Sequence, residues 1–287
     1  MFDDPVAYAT AVEPLLAADR VRSTVVSTMT HGAVVGPGTR RPVLVAAFDA
    51  GVPIAAAIRT TQAPVVVVTA PDRSDAAGLL APAVLAGPSP PDLVSGPENA
   101  ARAFAAGWIV EVGGGDSDVH TALLQYRLDN LIDPIGVPGG PRAVDVDDPI
   151  DVALAADWLH EFGIFTRTVP TPTGPDPEFI RARAGRGAVL VLWEVAGEPV
   201  ALAGHTAVVG GMARIGPVYT PEEQRGRRYG SAVTAAAVRS AVAAGATELV
   251  LFTDLDYPTS NAVYRRLGFV EVGRFAELTL PAPRSSR

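Results

Sequence analysis

Three arginines and two glycines stand in the run Arg225-Gly226-Arg227-Arg228-Tyr229-Gly230-Ser231. The spacing predicts that this run, with Pro221 to Gln224 before it, opens a helix ending near residue 244. It follows a strand over 212–220 that Gly216-Pro217 must bulge or splay. A helix N-terminus presents unpaired backbone N–H groups and about half a positive charge. The same dipole disfavours cations there, so arginines at that end call for an anion such as a phosphate ester. A second group lies downstream at Asn261, Tyr264 and Arg265, on a short helix started by Pro258-Thr259-Ser260 and stopped by Gly268. At i, i+3 and i+4 these three share one helical face, with Val263 and Leu267 opposite them toward the core. A tyrosine so placed is not needed for packing and can point its hydroxyl into a cleft.

Composition removes most other chemistries. The chain has 287 residues, 48% hydrophobic and 19% charged, which excludes extensive disorder. All 23 basic residues are arginine, so a Schiff-base lysine and a Walker lysine are impossible. No cysteine is present, which removes disulfides, thiolate nucleophiles and cysteine-held metals. His31, His120, His160 and His205 are scattered without metal spacing, and no metal is expected. No Gly-x-Ser-x-Gly elbow occurs, and Gly113-Gly114-Gly115 lacks the dinucleotide spacing and reads as a loop. A net charge of −8 argues against nucleic acid and weakly favours a cationic acceptor. No apolar run is long enough to span a membrane and the N-terminus has no basic leader, so a cytoplasmic protein is expected.

These residues must be positioned by α/β elements in two halves. Dense Pro and Gly punctuation marks 129–148 as a linker between 1–128 and 149–287. The run Val43-Leu44-Val45 to Ala50-Gly51-Val52-Pro53 lies over Val189-Leu190-Val191 to Ala196-Gly197-Glu198-Pro199 at a constant offset. Both copies read as hairpins turning on Ala-Gly-x-Pro, and the chain reads as a tandem repeat. In the second half strands are expected over 189–195, 199–208, 212–220, 248–253 and 269–280. Val233, Val238, Ala241 and Val242 would be the apolar stripe of the helix between them. Trp158, Phe162 and Phe165, at i, i+4 and i+7, read as a core stripe of an earlier helix.

The two motifs together resemble the GCN5-related N-acetyltransferase (GNAT) superfamily. Its signature Gln/Arg-x-x-Gly-x-Gly/Ala, between a strand and a helix, stands here as Arg225-Gly226-Arg227-Arg228-Tyr229-Gly230. Its Asn-x-x-Tyr followed by Gly-Phe stands as Asn261-Ala262-Val263-Tyr264 and Gly268-Phe269. One departure is Arg228 at the central glycine. The resemblance covers 142–280 well and the first half only through the repeat.

The resemblance implies an α/β (α+β) fold of two GNAT-like domains, each a mixed, mostly antiparallel sheet flanked by helices. Residues 149–287 would be catalytic. Residues 1–128 would be degenerate, with Asp72-Arg73-Ser74-Asp75 in place of the arginine loop and Ala103 in place of the tyrosine. The implied cosubstrate is acetyl-CoA, held by Arg225, Gly226, Arg227, Arg228, Tyr229, Gly230, Ser231 and Asn261. The backbone of Val218, Tyr219 and Thr220 would polarise the thioester carbonyl. A small-molecule or peptide amine would attack directly, and Tyr264 would protonate the departing thiolate. The base is left open among Glu194, His205, Glu222 and a water relay, as is a homodimer. The alternative is a non-catalytic acyl-CoA-binding module.

Overall fold

The computed structural model describes residues 1–36, 41–60, 64–167 and 173–284. It divides into two compact units. One holds Met1–Gln125 with Asp254–Asp256 and Gly273–Arg287; the other holds Tyr126–Thr253 and Tyr257–Val272. The sequence reading assigned the last strand to the second half with the rest of 149–287. Residues from Gly273 onward instead count with the first unit, because strand pairing is decided by register and not by distance along the chain.

In the first unit, Asp4 caps α1 (Pro5–Ala18) by accepting from the Val6 and Ala7 N–H groups. Then follow α2 (Arg20–Val35), β1 (Val43–Asp49), β2 (Val52–Arg59) and β3 (Val65–Thr69). A 3-10 turn at Ser74–Leu80 leads to α3 (Ala81–Leu85), β4 (Leu93–Pro97), α4 (Glu98–Glu111) and β5 (Val119–Leu128). β1, β2 and β3 pair antiparallel, β3 pairs parallel with β4, and residues Phe275 to Thr279 close antiparallel on β4.

The second unit repeats that pattern. It comprises β6 (Gly140–Ala143), α5 (Pro149–Phe165), α6 (Pro177–Ala184), β7 (Val189–Val195), β8 (Glu198–His205) and β9 (Met212–Tyr219). A 3-10 turn at Glu222–Gln224, α7 (Tyr229–Ala243), β10 (Glu248–Asp254), α8 (Pro258–Arg266) and β11 (Phe269–Thr279) complete the chain. β6 through β9 pair antiparallel, and β9 pairs parallel with β10. Within each unit the strand pairing is thus mixed and mostly antiparallel, as expected.

The two hairpins agree in detail. Ala50-Gly51 and Ala196-Gly197 both turn with positive φ, at 48° and 84° and at 53° and 85°. The register slips at the same place in each, between Ala47 and Phe48 and between Trp193 and Glu194. A left-handed pair is the geometry that a two-residue hairpin demands, which explains the glycine at the second place.

Two sequence expectations change. The 221–231 run does not itself begin the helix: α7 starts at Tyr229, after the separate 3-10 turn. Val242 is exposed, and Ala232 to Val238 are buried all round, because alanines let α7 sink into the unit on several sides.

The 129–148 segment, read as a linker, carries β6 and the residue that ties it down. Arg142 donates to Glu194 on β7 at 2.5 Å and through Nη2 to Asp151 on α5 at 2.7 Å. Asp151 is buried and also accepts from the Asp145 N–H, and the Arg142 guanidinium holds its carboxyl below the usual range. Breaking a fully buried ion pair costs about 3–5 kcal/mol, and the partial exposure of Arg142 reduces that. Arg142→Met is expected to cost about 2–3 kcal/mol in urea unfolding at pH 7. The gap between wild type and variant should narrow below about pH 4, because a depressed carboxylate stabilises the fold only while ionised. An equal gap at pH 7 and pH 3 would contradict this.

Candidate active site

The site begins where two strands part. The β9–β10 ladder runs from Met212–Glu248 to Arg214–Val250 and stops there, although β9 continues to Tyr219 and β10 to Asp254. β9 remains joined to β8 as far as Tyr219–Leu202. The far edge of residues 215–219 therefore has no ladder partner on β10 among the described residues. Backbone groups on such an edge need a partner, and an extended polar ligand can supply one.

The arginine loop follows directly. Gly226 adopts φ 78° and Arg228 φ 65°, and Arg228 stands as the N-cap of α7 without any side-chain cap. The N–H groups of Tyr229, Gly230 and Ser231 open the helix and have no intrahelical acceptor. Arg225, Gly226, Arg227 and Arg228 are exposed, whereas the Tyr229 side chain is buried and leaves only its backbone to a ligand. A Cβ on Gly230 would meet the Thr220 hydroxyl at 3.3 Å, so this glycine keeps the helix start against the end of β9. The glycine of the motif at position 228 is thus a conformational requirement, and Arg228 meets it as a left-handed residue at about 1–2 kcal/mol. An uncapped helix end beside exposed guanidinium groups fits an anion such as a phosphate ester.

α5 forms the facing wall. Its buried core contacts are made by Val152, Ala155 and Ala156, with half-buried Trp158 packed against that cluster, while Phe165 is exposed. Of the core stripe expected from their spacing, Trp158 reaches the core and Phe165 does not. The Trp158 ring lies 6.0 Å from that of Tyr219, and Phe165 meets Tyr257 edge-on at 5.4 Å. The Arg225 guanidinium stands over the Phe165 ring at 5.3 Å while its Nε donates to the Thr220 carbonyl at 3.1 Å. Glu161, one turn from both Trp158 and Phe165, accepts a short hydrogen bond from the Tyr219 hydroxyl. Burial, with that bond added, raises Tyr219 to about 12.

Glu161 was missed by the sequence reading. Its signal was available, because it shares a face with Trp158 and Phe165 at i, i+3 and i+7. Two of the bases left open by the sequence are engaged in other bonds. Glu194 is held by Arg142, and His205 is fully buried between the Thr206 carbonyl at 2.8 Å and the Ser240 hydroxyl at 3.1 Å. Glu222 is exposed in the 3-10 turn.

α8 departs from its expected orientation. Asn261, Tyr264 and Leu267 are the buried residues and Arg265 is exposed, so Tyr264 shares the side of Leu267 instead of opposing it. Tyr264 packs edge-on against Phe269 at 6.1 Å, and burial raises its hydroxyl to about 12. The Asn261 amide donates to the Tyr257 carbonyl at 3.1 Å, which fixes the first turn of α8 and with it the Tyr257 ring against Phe165. Among the described residues no cluster of metal-ligating side chains occurs, and no helix is long and apolar enough to cross a membrane.

Residues 155–269 match the family model described as Acetyltransferase (GNAT) family, so that segment is a GNAT domain. A comparison with curated proteins returned no match. Among solved structures, a GCN5-related N-acetyltransferase from Kribbella flavida is similar at 19% identity and TM-score 0.58, over 91% of this chain and 96% of that one. A Drosophila protein is similar at 12% identity and TM-score 0.68, over 98% of each chain. A tandem GNAT protein from the clavulanic acid biosynthesis pathway is similar at 15% identity and TM-score 0.55, covering 89% of this chain and 88% of its own. At these identities the likeness is one of fold.

The left-handed Arg228 sets a test of the loop. In urea, Arg228→Gly should be more stable than Arg228→Ala by about 1 kcal/mol, since only glycine relieves the backbone while both lose the charge. Equal stability would mean that the loop does not hold this conformation in solution.

Proposed function

We propose that the GNAT domain transfers an acetyl group from acetyl-CoA to a primary amine by direct attack. The observation that carries this reading is the early end of the β9–β10 ladder, next to the uncapped start of α7. Acetyl-CoA would supply an activated acyl thioester whose leaving group is a thiolate. The N–H groups from Gly226 to Ser231, with Arg225, Arg227 and Arg228, would hold its pyrophosphate. The edge of β9 that β10 leaves open, at Val218, Tyr219 and Thr220, is suited to bind and polarise a carbonyl.

Proton handling falls to two residues. Glu161 stands beside Tyr219 within the aromatic wall and can take the proton from an incoming ammonium group, directly or through water. Tyr264 is kept neutral by burial and can donate from its hydroxyl. The acidic surface suits a cationic acceptor, either a small amine or a peptide amine. The first unit has no counterpart of the arginine loop and is read as a non-catalytic domain of a tandem protein.

The burial of Tyr264 favours a second reading, an acyl-CoA binder without turnover. Amine-dependent release of CoA thiol, measured over a panel of amines, separates the two. Under the enzyme reading, Tyr264→Phe and Glu161→Gln should each lower kcat by about 10²-fold or more while leaving the acetyl-CoA Kd unchanged. With its hydroxyl near 12, Tyr264 should cause no alkaline fall in kcat below about pH 10. Binding without thiol release for any amine would establish the binder.

A further inference from the structure

A pocket of about 170 Å³ lies between α6 and the β7 edge of the second unit, and it shares no residue with the site above. Its lining is apolar, from Val144, Ile180, Ala184, Val189 and Leu190 among others, with a single charged member, Arg183. The Val144 N–H donates to the Leu190 carbonyl at 2.9 Å, which holds the segment after β6 along β7 and closes that wall. The Ala188 N–H donates to the Arg183 carbonyl at 3.1 Å and so turns the chain back over the pocket.

Arg183 is the anomaly. Its Nε is buried without a hydrogen-bond partner, and it forms no ion pair among the described residues. Its one aromatic contact is with the Phe179 ring at 5.7 Å. The nearest acid on its helix, Glu178, pairs with Arg181 at 2.7 Å. The electrostatic neighbours that count are cations. Burial first and Arg186 second lower the affinity of Arg183 for its proton. Burial first and Arg183 second lower Arg214, on β9, to about 10. A buried N–H donor left without an acceptor is costly, and mutual repulsion adds to the cost. A carboxylate would relieve both, because its two oxygens match the guanidinium fork.

Size fixes the rest of the ligand. An apolar void of about 150 Å³ accommodates benzene, so this pocket has room for a ring or a short branched chain beside the headgroup. We propose that the Arg183 pocket is a second binding site, specific for a compact apolar monocarboxylate. The site is independent of acyl transfer, and its occupancy is readable without turnover.

Sodium benzoate is the probe, with benzyl alcohol as the neutral match and sodium chloride as the ionic control. Methyl-labelled full-length protein is titrated with each and followed by NMR. Benzoate should give saturable shifts at Ile180, Ala184, Val189 and Leu190, with benzyl alcohol at least about tenfold weaker. Arg183→Gln should weaken benzoate by about tenfold or more while leaving benzyl alcohol unchanged. Ala188→Leu, which keeps the arginine and fills the space, should abolish both, and it decides the matter if Arg183→Gln does not fold. Equal affinity for acid and alcohol, no saturable shift, or shifts confined to the Arg225 loop would overturn the proposal. The same titration with acetyl-CoA tests the loop separately, so failure of one site leaves the other standing.

Discussion

The parting of β9 from β10 after Arg214–Val250 is the constraint on which the second unit depends. A parallel ladder that stopped later would bury the backbone of Val218, Tyr219 and Thr220 in ordinary sheet hydrogen bonds. Gly216 and Pro217 stand just past the last paired residue, where one side chain is absent and one N–H is missing. β9 is still held on its other side by β8 as far as Tyr219–Leu202, so the open edge stays anchored to the sheet. The next chain segment then brings the uncapped start of α7 beside it, with Gly230 close against Thr220.

What stands along this opening explains the odd composition of its walls. α5 contributes Val152, Ala155 and Ala156 to the core with Trp158 packed on them, and its Glu161, beside Trp158 and Phe165, bonds Tyr219. Arg225 joins the two parts of the site, bonding the Thr220 carbonyl while covering Phe165. A phosphate drawing on that guanidinium would compete with the aromatic contact, so the arginine loop and the aromatic wall share one side chain. Tyr264 sits differently, packed on Phe269 and kept protonated by burial. In the proposed reaction such burial would hold the proton until a thiolate formed nearby.

Much of the fold was legible because it rests on local chemistry. The Ala-Gly-x-Pro turns gave both hairpins and their common offset, and the mixed, mostly antiparallel sheets followed. The anion loop was legible as arginines before a helix, although the helix start was placed too early because the 3-10 turn at Glu222–Gln224 has no sequence mark of its own. Helix faces were read poorly. Spacing says which residues share a face but not which face is inside, so Phe165 was put in the core and Tyr264 in the open. On α5 the deciding residues were alanines, whose small size allows close packing without a strong hydrophobic signal. Non-local pairing was not legible at all, and the grouping of the residues after Gly273 with the first unit belongs to that class.

The central claim is that unpaired backbone, at the end of β9 and the start of α7, is the acyl-CoA site. Amide hydrogen exchange with and without acetyl-CoA tests it most directly, since it reports on those N–H groups without requiring an acceptor. Slower exchange at Val218, Tyr219 and Thr220 and across 226–231, with β1 to β3 unchanged, is the expected result. Saturating acetyl-CoA that left those amides unprotected, or protected only the first unit, would contradict the account.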